Sequence, residues 1–402
     1  MVFKTSGFRM LLMGGIEALT DDLRYHEARR EAERRLKEEF SERNFLSLLS
    51  LLLTVGDMKA TARYLRLWRD LKGDYPESFT SYLALFYMRT LDVENLVRVL
   101  PKLRYGERAI VYLNVFADPL SAWKLSEREE NPFLREKVRY DIGTIMGMPY
   151  PLPSPESAFG ELVLDVSKSL RYLTSGKMEE GLRLVDGVVD RAVNSGVVIP
   201  IISIKARALL LRGKLSEIHL LRLATESLGL KKESERLKIY EYFLGGEVEI
   251  NTERLDRRLK VDLDLSRRAK RRMLPPEETS PHFGIEAFWW YVSKVRSGSP
   301  YLSFSGRLRL MRGLEEVRLP RRRALVLLAF VRLKGYRFAR ENARIIFPES
   351  RKPQRRVAEY MRYVREYLNV PMDVRIARRF QTFLKEEGEE WAGFLREHVL
   401  NV

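Results

Sequence analysis

Between residues 351 and 363 the chain places Arg351, Lys352, Arg355, Arg356 and Arg362 beside two tyrosines, Tyr360 and Tyr363, and Arg375, Arg378 and Arg379 follow shortly after. The chemistry open to such a set is recognition of a polyanion. Guanidinium groups present fixed forks of N–H donors that match phosphate oxygens and the guanine edge, and a phenol ring can stack on an unpaired base. The set lies within a wider charge excess: residues 301–380 hold 21 Lys and Arg against 7 Asp and Glu, most of the net +17 of the 402-residue chain. An excess concentrated in one-fifth of the length is the footprint of an electrostatic nucleic-acid surface, which solubility alone does not require.

Other chemistries find less support. The chain has no cysteine, which excludes disulfides, thiolate metal sites and cysteine nucleophiles. His26, His219, His282 and His398 are too scattered for metal-ligand spacing. There is no Gly-rich phosphate loop followed by Lys-Ser/Thr, no dinucleotide fingerprint and no Gly-x-Ser-x-Gly elbow. Paired carboxylates at Glu179-Glu180, Glu315-Glu316 and Glu386-Glu387 fall on helix surfaces or turns, where nothing would raise a pKa. The expectation is a protein that is not an enzyme and uses no cofactor or metal.

The apolar run Phe8–Ile16 is short, broken by Gly14-Gly15 and followed by Glu17, Asp21 and Asp22, so it reads as a buried segment and not as a signal sequence. No apolar stretch approaches the roughly 20 residues needed to span a bilayer, and a cytoplasmic protein without a membrane partner is expected. Charged residues make up 32% of the chain and Gln occurs only at 354 and 381, a balance that thermophile proteins tend to show.

The elements that must position this charge are mostly helical. Helix formers dominate residues 20 to 270, and four segments share one order: apolar helix, tight turn, aliphatic residue, second amphipathic helix. They are Leu46–Val55 with Lys59–Leu71, Phe79–Thr90 with Glu94–Leu100, Leu162–Thr174 with Glu179–Val193, and Ile201–Leu211 with Ser216–Leu228. Their turns are Gly56-Asp57-Met58, Leu91-Asp92-Val93, Gly176-Lys177-Met178 and Gly213-Lys214-Leu215, 35 residues apart in the first pair (56 to 91) and 37 in the second (176 to 213). With small residues at Ala60, Ala62, Gly181 and Ala206, this spacing resembles tetratricopeptide-type helical repeats. That resemblance implies a concave face for a protein partner; generic antiparallel helices without a groove are the other reading.

Prolines at 149, 151, 153 and 155 favour extended backbone, and Leu274–Pro281 is a second break. The chain therefore divides into a helical-repeat domain over 1–148, a second helical region over 156–273, an aromatic connecting helix over 283–300, a basic module over 301–383 and a terminal helix over 384–402. The basic stretch Arg254–Arg272, with Leu255, Leu259 and Leu263 inward, is either a solvated helix face or a phosphate-tracking surface. In the connecting helix Ile285, Phe288, Trp289 and Val292 form one buried stripe. Trp290 and Tyr291 lie off it, which suggests a second contact, either between domains or between subunits.

Residues 301–380 change pattern. Alternation at Leu308 and Leu310, then at Val317 and Leu319, brackets a hairpin turn at Arg312–Glu315. Pro320 suits the start of a helix whose Ala324–Val331 is apolar almost all round; Gly335 ends it before a short extended Tyr336–Phe338. A second helix is expected over Ala339–Phe347. A third starts at Pro353, with Val357, Met361, Val364 and Leu368 inward, and Asp373–Phe383 closes as a hairpin.

The run Leu308-Arg309-Leu310 through Val317–Arg321, then Ala324–Ala329, Phe347-Pro348 and Glu359–Leu368, resembles the OmpR/PhoB-type winged helix, in the version that bacterial activators pair with helical repeats. The resemblance covers about 75 residues. It implies a sheet, three helices and a wing, with the third helix in the DNA major groove. Arg355, Arg356, Tyr360, Arg362 and Tyr363 would then face the groove, with Arg351 and Lys352 holding phosphate. The expected fold is mainly α, a helical-hairpin array followed by a small α+β winged-helix domain. Two functions follow: a homodimeric DNA-binding transcriptional regulator whose array contacts a protein partner, or a factor that binds ribosomal RNA and bridges particles as a dimer.

Overall fold

Each of the four expected turns passes through a residue in the left-handed region: Gly56 (φ 88°), Leu91 (58°), Gly176 (85°) and Gly213 (70°). The next N–H then reaches back to an orphaned carbonyl of the last helical turn, Asp57 to Leu52 at 3.0 Å and Asp92 to Tyr87, Lys177 to Tyr172 and Lys214 to Leu209 at 2.9 Å each. Asp57 and Asp92 cap the following helix by accepting from the N–H of Ala60 and Asn95. A fifth turn of the same kind, at Gly229 with Leu230 N–H on the Thr225 carbonyl, was not among the four segments. Leu91 bears a side chain where the others have hydrogen, at a cost on the order of 1 kcal/mol.

The structure, a computed structural model, describes residues 24–148, 150–155, 157–196, 201–271, 279–303, 309–318 and 322–368. Eighteen α-helices and one small sheet are found among them, so the protein is mainly helical. In chain order the helices are α1 (Tyr25–Glu38), α2 (Glu42–Val55), α3 (Met58–Lys72), α4 (Thr80–Thr90), α5 (Val93–Val99), α6 (Tyr105–Asn114), α7 (Pro119–Ser126), α8 (Pro132–Met146), α9 (Ala158–Ser175), α10 (Met178–Ser195), α11 (Ala206–Arg212), α12 (Leu215–Leu228), α13 (Lys231–Leu244), α14 (Arg257–Lys270) and α15 (Phe283–Ser297). Strands β1 (Pro300–Ser303), β2 (Arg309–Arg312) and β3 (Glu315–Glu316) follow, then α16 (Arg322–Glu341), α17 (Ala343–Ile346) and α18 (Pro353–Leu368). No helix among the described residues is long and apolar enough to cross a membrane. Residues 1–23, with the apolar run near Phe8, lie outside the described residues.

The chain divides into two compact units. The first comprises residues 1–142, 151–168 and 183–266. In its core Phe45, Trp68 and Phe79 from α2, α3 and the turn before α4 meet with ring centroids 4.7–5.4 Å apart, Phe45 stacked on Phe79 and Trp68 tilted against both. Such aromatic contacts add to the gain from apolar burial. Another part of the core is charged. Lys232 on α13 is buried, ion-paired with buried Asp256, and donates to the Asn114 carbonyl that ends α6. Asp256 also caps α14 through the N–H of Leu259 at 2.8 Å, and the Arg258 N–H donates to the Val115 carbonyl at 3.0 Å. Arg207, Tyr240, Arg258 and Asp262 are buried in the same network. Burial lowers the pKa of Lys232 and Arg207 and raises that of Tyr240.

The second unit comprises residues 143–150, 169–182 and 267–402. Its helix α15 is buried over most of its length, with Phe283, Ile285, Phe288, Trp289 and Val292 enclosed and Arg296 and Ser297 exposed at its end. Trp290 and Tyr291 are as enclosed as the expected stripe, and Tyr291 meets the ring of Tyr301 on β1 at 5.7 Å. For Tyr291 the second contact thus lies within the unit, where contacts between domains or subunits were expected. A Cβ on Gly176 would overlap the Tyr291 ring, and one on Gly284 would overlap the Thr144 carbonyl oxygen, so glycine alone permits these approaches.

The antiparallel sheet has the order β1-β2-β3, with Tyr301 opposite Met311 and Arg312 opposite Glu315. Gly313 (φ 63°) opens its two-residue turn. The hairpin forms around the expected turn, but β3 is Glu315–Glu316 and stops short of Val317, β1 was not foreseen, and Leu308 and Leu319 of the expected strands lie outside the described residues. A second correction concerns Gly335. The helix does not stop there; α16 continues to Glu341, and the expected second helix shrinks to the four residues of α17. A glycine inside a helix costs only about 1 kcal/mol, and burial of Ala339 at 0% exposure on the continuing face offsets it.

Two outcomes follow from this packing. Gly284→Ala should destabilise the protein by about 1–3 kcal/mol through overpacking against the Thr144 backbone. A melting temperature equal to that of the unaltered protein would contradict it. Asp256→Ala should cost about 3–5 kcal/mol by stranding Lys232. Because burial lowers the Lys232 pKa, the unfolded chain holds more protons between the folded and unfolded values, so stability rises with pH there. Loss of Asp256 deepens that shift, and the deficit of the variant should shrink from about pH 7 toward about pH 10. Urea denaturation at both values decides; a deficit that grows with pH would refute the account.

Candidate nucleic-acid interface

Helix α18 is amphipathic, and its two faces have separate tasks. Val357, Met361 and Val364 are buried, facing Ala324, Leu327, Leu328 and Val331 of α16 and Ile346 of α17 in a core whose helices pack on one another. This face fixes the rotation of α18. The opposite positions are then necessarily outward: Arg351, Lys352, Gln354, Arg355, Arg356, Arg362 and Glu366 are all exposed. Pro353, at N1, needs no N–H there and presets the first turn, and the N–H groups of Arg355 and Arg356 turn back to the Lys352 carbonyl at 3.2 Å each.

Glu359 sets the resting electrostatics of this face. It accepts from Arg355 Nε at 3.1 Å through one oxygen and from Arg356 Nη1 at 3.1 Å through the other. The side chains of Arg355 and Arg356 remain 73% and 56% exposed, so these pairs sit in water and are worth little, about 0.3–0.5 kcal/mol for the i,i+4 geometry. A polyanion can displace them. Arg351, Lys352 and Arg362 have no carboxylate within ion-pair distance among the described residues.

The two tyrosines are placed differently from the arginines. Tyr360 is half-buried, with its ring edge-to-face on Phe347 at 4.8 Å, and Tyr363 is half-buried 6.5 Å from Tyr360. Tyr360 is thereby committed to supporting the α17–α18 turn. The structure brings seven of the ten sequence-predicted residues onto one helix and the turn before it; Arg375, Arg378 and Arg379, with the expected terminal hairpin, lie outside the described residues.

Sequence reasoning missed three further exposed cations, Arg337 and Arg340 on α16 and Arg344 on α17. Their stretch was read partly as extended backbone, which hid the 3.6-residue spacing that would have turned them outward. In the basic stretch near Arg254, Arg257, Lys260, Arg267, Lys270 and Arg271 are exposed, but Arg258 is buried beside Asp262 and belongs to the core. Among the described residues no group of three or more His, Asp or Glu is placed to hold a metal ion. No protein-family model, curated protein or solved structure matches the chain.

Glu359→Gln should free both guanidiniums while changing stability by no more than about 0.5 kcal/mol. The variant should elute from a heparin column at higher salt than the unaltered protein. Identical elution would show that the carboxylate does not govern this surface.

Proposed function

We propose that the protein is a non-enzymatic DNA-binding transcriptional regulator that docks α18 in the major groove. The observation that carries the reading is the exposure of Arg351, Lys352, Arg355, Arg356 and Arg362 along and just before one helix whose other face is buried. A helix of this diameter fits the major groove, and arginine forks there read guanine while those at the margin hold phosphate. The order sheet, α16, α17, α18 supports a winged-helix reading of this region, and the recurrent left-handed turns support a tetratricopeptide-like array for protein contact and dimerisation.

A ribosomal-RNA-binding role is the second reading, favoured by the exposure of Arg267, Lys270 and Arg271 in the second unit, which adds exposed cations to those of α18. Both readings place the protein in the cytoplasm, bound to nucleic acid and without a membrane partner.

Fluorescence anisotropy with a mixed-sequence duplex tests the proposal. The unaltered protein should bind with an affinity that falls steeply with salt, and Arg355→Ala/Arg356→Ala should weaken it and reduce the log–log salt slope by about 2. Absence of duplex binding at low salt would overturn it. Preference for structured RNA over duplex would move the assignment to the second reading.

A further inference from the structure

The outward face of α18 carries more than arginine. Arg355, Glu359, Arg362 and Glu366 follow one another at intervals of four, three and four residues, so at about 100° per residue all four fall within about 60° of the helix circumference. That stripe lies opposite the buried Val357, Met361 and Val364. Arg355, Arg362 and Glu366 are exposed, and the Glu359 side chain is 41% exposed. Along the stripe the charges alternate in sign. Arg356 lies to one side of it and holds one oxygen of Glu359. Arg362 and Glu366, one turn apart, make no ion pair among the described residues.

Two carboxylates in the middle of this face do not help to hold a polyanion, whose phosphates they repel. Their positions fit a second copy of the same helix. In an antiparallel pair related by a two-fold axis, the register that sets Arg355 against Glu366 of the second copy also sets Glu359 against Arg362 of the second copy. One arrangement thus yields four ion pairs and opposes no like charges along the stripe. A parallel pair would set Arg355 on its own copy and Glu359 on its own copy, which repel. The spacing is also that of the contact positions of paired helices. Arg351 and Lys352 stand just before α18, and antiparallel pairing separates the two basic ends by the length of a 16-residue helix, about 22 Å. That is well beyond the screening length of about 8 Å at physiological salt.

We propose that α18 pairs antiparallel with α18 of a second copy of this chain, through Arg355, Glu359, Arg362 and Glu366, and that the pairing covers the nucleic-acid surface. The occlusion rests on the nucleic-acid reading of α18; the pairing rests on the charge pattern alone. Arg355 exchanges its bond to Glu359 for one to Glu366 of the second copy, and Glu359 takes Arg362 of the second copy in its place. The guanidiniums used in this way are neutralised and withdrawn from phosphate. Exposed ion pairs are individually weak and screened by salt, so the dimer is reversible, and a polyanion that engages several cations at once displaces it. Nucleic acid and the second copy therefore exclude each other.

Sedimentation equilibrium of the full chain up to about 200 µM, at about 50 mM and about 500 mM salt, tests the pairing without nucleic acid. A monomer–dimer equilibrium should appear at low salt and shift to monomer at high salt. Arg355→Glu should weaken dimerisation by about tenfold or more, because Glu366 of the second copy then faces a like charge. General electrostatics predicts the reverse, since this substitution lowers the net charge of +17 and with it the repulsion between copies. Glu366→Arg should weaken the dimer as well, and Arg355→Glu/Glu366→Arg, which exchanges the two charges, should restore it. Both positions are exposed, so the thermal melts should not change. A short duplex added to the low-salt dimer should release monomers bound to duplex. Monomer at every concentration, a dimer indifferent to the single substitutions, a double variant that stays weak, or a dimer that binds duplex without dissociating would each overturn the proposal. Failure of the unaltered monomer to bind duplex would instead overturn the nucleic-acid reading, and with it the occlusion.

Discussion

A lysine–aspartate pair withdrawn from water is the constraint on which the first unit depends. Lys232 and Asp256 cannot be buried singly, because an isolated ion in a medium of low dielectric would cost several kcal/mol. Together they also complete the backbone: the ammonium satisfies the last carbonyl of α6, and the carboxylate caps the first turn of α14. The pair therefore joins three helices at a point where apolar contacts could not have supplied the missing donors and acceptor. Burial of this kind contributes less to stability than to specifying one arrangement, since hydrophobic residues of similar volume would pack as well but leave the helix ends unsatisfied.

The second unit rests on a different constraint, close packing around α15. With Trp289, Trp290 and Tyr291 all enclosed, neighbouring backbone must approach within the radius of a methyl group, and glycine at 176 and 284 is what allows it. The helices that follow inherit a rotation from their own buried faces. Once Val357, Met361 and Val364 are turned inward, Arg355, Arg356 and Arg362 have nowhere to go but outward. The outward direction of these arginines is thus a by-product of core packing, whereas their number is not, because a solvated helix face needs no such excess of arginine. A fold of this class by itself does not decide what is bound; the side chains of the exposed face must.

Much of the fold was legible in the sequence because it is locally encoded. The helix–turn–helix segments depend on a glycine or a strained residue in the left-handed region and an aliphatic residue two positions later, with a capping aspartate between them at Asp57 and Asp92. The outward face of α18 was legible for the same reason, since three apolar residues at intervals of four and three define a helix face without reference to anything else. The extended stretch expected after Gly335 failed because the local signal, a glycine, is weak against burial of Ala339 by residues distant in the chain.

What the sequence alone determined, then, is where the four helical hairpins turn, how much positive charge the chain carries and which arginines α18 turns to solvent. These follow from interactions spanning a few residues. Only the tertiary structure decided the fate of individual charges. Lys231 and Lys232 are neighbours of one type, yet the first is exposed and the second is buried in an ion pair; Arg257 and Arg258 divide in the same way. The physical reason is that desolvation and Coulomb attraction depend on which distant groups surround a side chain, and residues as far apart as Asn114 and Asp256 come together only when the helices pack.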